Sequence, residues 1–127
     1  TAAVADYQPV EKAAHKMKKK EEELIIRLKR TKDILAELGR LKERQILIGF
    51  AAETDDVETY AKTKLKQKNL DFIVANDVSQ EGIGFHSDAN AVTIFSRQGE
   101  KVDIPVMSKK DVAYQILKVV AESYAHK

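Results

Sequence analysis

Lysines are the residues of this sequence whose type and spacing could do chemistry. Four of them, with one Met, fill residues 16–20 as KMKKK. Lysine carries a compact, mobile charge that suits the negative centre developing in phosphoryl or nucleotidyl transfer, so this run could close over a polyphosphate. The blander interpretation, which composition favours, is a solvated loop neutralised by residues 21–23, because most charge runs are solvated.

A second group of lysines lies at Lys62, Lys64, Lys66 and Lys68, in a segment expected to be helical. Lys64 and Lys68 are four residues apart, so they share one helix face and both could reach the same anion. An ordinary solvated helix face would carry the same charges. Phe50, near the end of an apolar run, could offer its ring or backbone to a nucleotide base, although such a residue is more often part of the core.

Other kinds of site find little support. The three histidines, His15, His86 and His126, have no metal-ligand spacing, so no metal site is predicted. The sequence contains no cysteine, which excludes disulfides and thiolate metal sites and fits a cytoplasmic protein. Gly82 and Gly84 lack the third glycine and the strand-to-helix setting of a dinucleotide-binding loop. No Ser-His-Asp arrangement follows from the spacing.

Composition limits the partners of the chain. Its 22 Lys and Arg against 20 Asp and Glu give a formal charge of +2, so no general attraction to nucleic acid or to an anionic membrane is expected. The longest apolar run falls far short of the roughly 20 residues that a membrane-spanning helix needs. With 43% hydrophobic residues among 127, the chain can form one domain or part of one.

Buried strands and a crossover helix are expected to position the candidate residues. Two continuous apolar runs, residues 46–52 and 70–75, predict strands buried on both faces, and residues 57–68 predict the helix between them. Strand, helix and strand with short links form the βαβ unit of a parallel sheet. Ligands bind at the carboxyl ends of such strands. The patches expected there are residues 2–7, 49–54 and 75–79.

The amino-terminal region is predicted to be less regular. Residues 8–23 are polar and contain a proline, so they are predicted to form a loop or mobile flap. Residues 24–28 are β-prone and predict a short strand, after which Thr31 could cap a helix over residues 32–43. Residues 1–5, apolar and without an initiator Met, resemble the end of a buried strand within a longer protein.

The carboxyl-terminal region completes an α/β domain. Residues 78–90 are rich in Gly, Ser, Asp and Asn and predict a loop. Residues 92–95 and 101–104 flank a Gln-Gly turn and predict a β-hairpin. Residues 108–111 approximate a capping box, with Asp in place of Glu or Gln, before a closing amphipathic helix.

Short motifs are distributed along the whole chain. The first is AAVADY at residues 2–7, followed by KMKK, and the others are residues 33–35, 49–54, Lys64 with Lys68, 69–71, 75–78, 87–90 and 107–109. In order and approximate spacing, these motifs resemble those of phosphopantothenoylcysteine synthetases. The resemblance implies that residues 1–127 are the C-terminal part of the synthetase domain. The implied fold is α/β, the C-terminal half of a Rossmann-like three-layer parallel sheet with an added β-hairpin.

The resemblance implies a ligase of coenzyme A biosynthesis. The family joins 4′-phosphopantothenate to cysteine, and bacterial members typically use CTP. The substrate carboxylate attacks the α-phosphate of CTP, which gives an acyl-cytidylate and pyrophosphate. The cysteine amine then displaces CMP. Mg²⁺ is the expected partner of the triphosphate, and FMN is implied only where the domain is fused to a flavin-dependent decarboxylase outside this chain. A homodimer is implied for the full-length protein. Because the family's glycine-rich N-terminal half is missing, the chain alone is expected to be inactive.

The resemblance also assigns site residues. Lys16 is the flap lysine, expected to contact the phosphates and favour formation of the intermediate, and is the one catalytic residue implied. Lys32 stands where many members have Pro, which a backbone contact would tolerate. The nucleotide-binding residues implied are Ala2, Ala3, Asp6, Lys16, Lys32, Asp33, Ile34, Leu35, Phe50, Lys64 and Lys68.

Two other interpretations remain open. A non-catalytic nucleotide-binding or assembly module on the same fold would bind nucleotide without activating a carboxylate. A basic nucleic-acid-binding domain that uses residues 16–20 ranks last, because the net charge is near zero and aromatic residues are few.

Overall fold

The computed structural model of the protein describes residues 4–19, 23–79 and 88–125. Its contacts divide the chain into two units, Thr1–Ile34 and Leu35–Lys127. The elements are β1 (Tyr7–Pro9), β2 (Leu28–Arg30), α1 (Ile34–Leu41), β3 (Ile48–Glu53), α2 (Val57–Gln67), β4 (Phe72–Asp77), β5 (Ala89–Ser96), β6 (Lys101–Ser108) and α3 (Lys109–Ala125). Outside the described residues lie Ala2, Ala3, Lys20, His86, His126, both loop glycines at 82 and 84, and most of the predicted loop over residues 78–90.

The first unit contains a two-stranded antiparallel sheet. β1 pairs with β2 so that Tyr7 lies opposite Arg30. The Val10 amide donates to the Arg27 carbonyl at 2.9 Å, which closes the stem below the long loop that joins the two strands. The flap predicted over residues 8–23 therefore begins inside β1 and continues into this loop.

Two expectations for this unit are wrong. The strand predicted over residues 24–28 is found at Leu28–Arg30, because these are the residues that pair with β1. Thr31 does not cap a helix, since its hydroxyl donates instead to the Ala5 carbonyl at 2.6 Å. The helix predicted over residues 32–43 is correspondingly shorter and begins at Ile34.

The second unit is built on a four-stranded sheet in the order β3-β4-β5-β6. β3 and β4 are parallel, whereas β5 is antiparallel to both β4 and β6, so three of the four strands point the same way. The predicted βαβ unit is thus confirmed as β3, α2 and β4. The predicted hairpin is confirmed as β5 and β6, and its turn contains Gly99 at a φ of 93°, which glycine adopts without a Cβ clash.

Helices cover both faces of this sheet, which confirms the three predicted layers. Along β4, Phe72 and Val74 belong to the apolar cluster under α3, whereas Ile73 and Ala75 belong to the cluster under α2. None of the four is more than 2% exposed. The run of residues 70–75 is continuously apolar because a strand of this kind is buried on both faces.

A buried ion pair fixes the amino-terminal end of the sheet. Lys42 Nζ lies 3.0 Å from Asp71 Oδ2, and the two side chains are 8% and 16% exposed. The Leu47 amide donates to the same carboxylate oxygen at 2.8 Å, and Lys42 also donates to the Asn69 carbonyl at 2.7 Å. Burial alone would raise the pKa of Asp71, but the Leu47 amide and the Lys42 ammonium outweigh burial and lower it. These contacts join the segment before β3 to the start of β4.

The start of α3 follows the predicted capping pattern. The Ser108 hydroxyl accepts the Asp111 amide at 3.1 Å and so satisfies one of the free amides of the first turn. Val112, Ile116 and Val120 are the buried residues of this helix and face the sheet. Neither α3 nor any other described helix combines the length and apolar character needed to cross a membrane.

Candidate functional site

A groove of about 660 Å³ lies between α3 and the first two strands of the sheet in the second unit. Its walls are apolar, with Ile48 and Val74 on the sheet side and Ile116 on the helix side. Its polar side chains include Asn76, at the carboxyl end of β4, and Asn90. A concave, mostly apolar space with a few polar groups at the carboxyl ends of strands is the usual form of a ligand site in this type of sheet.

Phe50 lies in the wall of this groove with its side chain largely free. It is 71% exposed, although it lies in the third position of β3. α3 packs over β5 and β6, and within the described residues β3 is an end strand of its sheet. The sequence placed Phe50 at the nucleotide only through the family resemblance. Its position leaves the ring accessible to a planar ligand.

Asn76 is a candidate that the sequence reasoning missed as an individual residue. Its side-chain carbonyl oxygen is buried and has no hydrogen-bond partner among the described residues. A buried acceptor left unpaired costs about 1–3 kcal/mol, so a ligand that supplies an N–H or O–H donor would recover that energy. Asn76 lies in register with Ala52 on the next strand, and both line the groove with Phe50. The sequence signal was its place directly after a buried apolar run.

Lys64 reaches the carboxyl end of β3 from α2. Its Nζ lies 2.5 Å from Glu53 Oε1, and the lysine and glutamate side chains are 38% and 18% exposed. Glu53 ends β3 and was predicted only as one residue of the patch 49–54, with no role of its own. Lys68 follows the last residue of α2, and its amide donates to the Lys64 carbonyl at 3.0 Å. The sequence found both lysines but not the carboxylate that holds the first.

Phe50 and Lys64 lie on opposite faces of the sheet. Phe50 lines the groove beside α3, whereas α2 packs its Ala61 and Leu65 into the other apolar cluster. Glu53 is an odd number of residues from Phe50 along β3, so its side chain points to the α2 face. The two predicted nucleotide contacts therefore lie on opposite faces of β3, with Phe50 inside the strand and the Lys64 ammonium at its carboxyl end.

The predicted site residues of the first unit that the structure describes are exposed. Asp6 precedes β1, and its backbone carbonyl accepts the Thr31 amide at 2.9 Å. Lys16 lies in the loop between β1 and β2, and Lys32 and Asp33 lie directly before α1. Ile34 begins α1 and is also exposed.

Leu35, the last of the predicted residues, has a packing role in the second unit. It is partly buried and packs against the apolar cluster on the α2 face of the sheet. Any contact between this residue and a nucleotide would therefore come from its backbone. A backbone contact is also the kind that would tolerate Lys32 where many family members have Pro.

Residues 4–19, 23–79 and 88–125 contain no group of three or more acidic or His side chains that could hold a metal ion. The described side chains thus do not fit a Mg²⁺ site built by the protein itself. Mg²⁺ binds readily through the phosphates of a nucleotide with few protein ligands.

Comparison with known proteins gives a consistent set of relatives. A family model for the DNA/pantothenate metabolism flavoprotein C-terminal domain matches residues 1–124. The coenzyme A biosynthesis bifunctional protein CoaBC of Bacillus subtilis (strain 168) is 56% identical over 121 residues, which are 95% of this chain and 30% of that protein. The protein of the same name from Vibrio vulnificus (strain YJ016) is 45% identical over 128 residues, 98% of this chain and 32% of that protein.

A solved structure agrees with these relatives. The crystal structure of the C-terminal domain of coenzyme A biosynthesis bifunctional protein CoaBC is 41% identical and superposes with a TM-score of 0.73. The similarity covers 99% of this chain and 53% of that one. The chain therefore spans about half of the solved domain and about a third of the two curated relatives.

Proposed function

Because the chain belongs to the DNA/pantothenate metabolism flavoprotein C-terminal domain family, we propose that it is the C-terminal part of a phosphopantothenate–cysteine ligase of coenzyme A biosynthesis. The relatives named for coenzyme A biosynthesis support this role, and the motif resemblance to phosphopantothenoylcysteine synthetases is confirmed at the family level. In this proposal residues 1–127 are one part of the synthetase domain, inactive without the rest. The full-length protein is a cytoplasmic homodimer, and it carries FMN only where a decarboxylase domain is fused to it.

The proposed reaction has two steps. A carboxylate oxygen of 4′-phosphopantothenate bonds to the α-phosphorus of CTP, the bond from that phosphorus to the bridging oxygen breaks, and pyrophosphate leaves. The cysteine amine then bonds to the acyl carbon, the bond to CMP breaks, and the amine loses a proton. Mg²⁺ is the expected companion of the triphosphate and, bound to it, would supply positive charge there. The contribution of this chain is to bind and orient the nucleotide and to neutralise charge.

The observation that carries the proposal is the pairing of an exposed ring with an unpaired buried acceptor in one groove. Phe50 offers a flat apolar surface, and the Asn76 carbonyl, which has no partner among the described residues, would accept a donor such as a ribose hydroxyl or an amino group. Asn76 lies at the carboxyl end of β4, where nucleotides bind in sheets of this type, and Phe50 lies on the adjacent parallel strand opposite Val74, the residue two positions before Asn76. We assign Asn76 to the nucleotide site together with the residues that the resemblance implies.

Lysines supply the positive charge in this assignment. The Lys64 ammonium reaches the carboxyl end of β3 from α2, and Lys68 lies four residues further along the chain, directly after α2. Lys16, in the exposed loop of the first unit, is assigned to the phosphates by family resemblance. Lysine suits this role because its ammonium is a compact point charge on a flexible stem.

The test is a pyrophosphate-release assay on the full-length protein with CTP, 4′-phosphopantothenate and cysteine. We expect release to require both CTP and phosphopantothenate, and Asn76→Ala to raise the KM for CTP about tenfold through the loss of one hydrogen bond in a desolvated site. Phe50→Ala should also raise this KM. Tyr114→Ala is the matched control for Phe50, because this α3 aromatic is 68% exposed and lies outside the groove lining.

Two outcomes would change the assignment. If the full-length protein binds CTP but releases no pyrophosphate, it is the nucleotide-binding or assembly module considered above. If it releases pyrophosphate while Asn76→Ala and Phe50→Ala leave the KM for CTP unchanged, the ligase proposal stands and the groove is not the nucleotide site.

A further inference from the structure

We propose that Glu53 is a positioning residue for the nucleotide, which acts by holding the Lys64 ammonium at the carboxyl end of β3. The inference rests on the proposed function, because it assumes that phosphates arrive at this edge of the sheet. It concerns a residue that lies inside the similar segment 49–54, to which the resemblance assigned no role and which does not line the groove.

The ion pair joins two elements that the fold holds rigidly. Glu53 is the last residue of β3, which is hydrogen-bonded to β4 along its whole length. Its backbone carbonyl also accepts the Val78 amide at 3.1 Å, so the turn after β4 is tied to the same residue. The backbone that carries the Glu53 carboxylate is therefore fixed in position. A contact with this carboxylate fixes the ammonium group of Lys64, whose four-carbon stem is otherwise flexible.

A neighbouring ion pair on α2 shows what is particular to Glu53. Lys62 lies 2.6 Å from Glu58, which is one helical turn earlier, and both side chains are about half exposed. That pair joins two residues of one helix, although Glu58 also accepts a hydrogen bond from Lys101 Nζ on β6 at 3.3 Å. Lys64 pairs instead with a carboxylate eleven residues away in sequence, across the boundary between helix and sheet. Two lysines only two positions apart thus point to different places, and Glu53 is the partner that directs Lys64 to the strand end.

The remaining donors of Lys64 suit a phosphate. An ammonium has three N–H donors, and one directed at Glu53 leaves two for phosphate oxygens. The Glu53 carboxylate also repels phosphates, so its charge and its positioning effect act in opposite directions. Gln at position 53 would keep the acceptor oxygen and remove the charge, whereas Ala would remove both. These two substitutions therefore separate positioning from charge.

The experiment measures the KM for CTP, the KM for 4′-phosphopantothenate and kcat in the full-length protein. We expect Glu53→Ala to raise the KM for CTP about fivefold, with a smaller effect on the KM for phosphopantothenate, because Lys64 loses its fixed position. Glu53→Gln should keep the KM for CTP within about twofold of the parent or lower it. In a Lys64→Ala background, Glu53→Ala should have no further effect, since the two residues act through one contact.

Controls distinguish a loss of Lys64 positioning from a loss of protein stability and from a failure of the proposed function. Glu58→Ala removes a carboxylate on the same helix that pairs with Lys62 and with Lys101 on β6, and it should leave the KM for CTP unchanged. If Glu53→Ala fails to unfold cooperatively, Glu53→Asp replaces it: the shorter carboxylate keeps the charge but withdraws the acceptor, and the KM for CTP should rise. The inference is overturned if Glu53→Ala leaves or lowers the KM for CTP, or if its effect persists without Lys64. Absence of CTP-dependent pyrophosphate release in the parent protein would instead refute the proposed function.

Discussion

Replacing Asp71 with Asn tests how much of the stability depends on the ion pair at the amino-terminal end of the sheet. The substitution keeps the size of the side chain and an acceptor for the Leu47 amide, but it removes the negative charge. Asp71 Oδ2 accepts two hydrogen bonds, from Leu47 at 2.8 Å and from Lys42 at 3.0 Å. Hydrogen bonds to a charged group contribute about 1.5–3 kcal/mol, against about 0.5–1.5 kcal/mol for neutral ones.

Two such bonds make the expected loss about 2–3 kcal/mol in the free energy of unfolding. Lys42 keeps its bond to the Asn69 carbonyl, so the loss should stay below the roughly 3–5 kcal/mol typical when a buried pair loses one partner completely. Urea-induced unfolding followed by circular dichroism measures the difference. The m-value should not change, because the surface exposed on unfolding is the same.

The matched control is Glu37→Gln, which breaks the pair between Glu37 and Arg40 on α1. That pair is shorter, at 2.7 Å, but the arginine side chain is 68% exposed, so water screens the interaction. We expect no measurable loss of stability there. A loss below about 0.5 kcal/mol for Asp71→Asn, or an equal loss for both variants, would refute the argument from burial.

The same carboxylate predicts a dependence on pH. Because the folded pKa of Asp71 is lowered, its contribution to stability is present above its unfolded pKa, about 3.9, and is lost as the pH falls through the folded value. Acid should therefore destabilise the parent protein more than Asp71→Asn, and the two unfolding midpoints should converge. Parallel curves between pH 6 and about 3 would contradict the assigned cause.

Three further substitutions test local packing and caps. Gly39→Ala should lower the free energy of unfolding by about 3 kcal/mol or more, or prevent folding, because a Cβ there would lie 1.8 Å from the backbone oxygen of Lys68. Unchanged urea unfolding would show that α1 does not pack this closely. Gly99→Ala should cost only about 1–2 kcal/mol, since space is free and only the positive φ opposes the substitution. Ser108→Ala should cost about 1 kcal/mol through the loss of the bond to the Asp111 amide, and Ser108→Asp should restore it.

Much of the second unit could be predicted from the sequence because its strands bury both faces. A continuous apolar run such as residues 70–75 is most simply explained as a strand buried on both faces. The βαβ unit was predicted from two such runs and the helix between them. The hairpin was predicted from two short segments and the turn that they flank. The ends of β3 and β4 differ from the predicted ends by one or two residues, whereas β5 begins three residues earlier and β6 ends four residues later than predicted, because strand ends depend on the pairing partner. The strand at Leu28–Arg30 was misplaced for the same reason: its partner is a short polar segment with no pattern of its own.

The candidate site was less predictable than the fold. The lysines and Phe50 were found through family motifs, whereas Asn76 and Glu53 became candidates only when contacts were known. An Asn is notable when its carbonyl is buried and unpaired, and a Glu is notable when it fixes a particular lysine. Neither property can be read from residue type, because both arise between elements distant in sequence.

The central position of β4 has a consequence for the motions of the domain. This strand pairs with β3 on one side and β5 on the other, and apolar clusters cover both its faces. No local opening can release its amides without breaking two ladders and two clusters together. We expect the amides of residues 72–75 to exchange with deuterium only through global unfolding, and those of β6, at the sheet edge, to exchange by smaller openings. The protection of β4 would then report the stability of the whole unit, residue by residue and without denaturant.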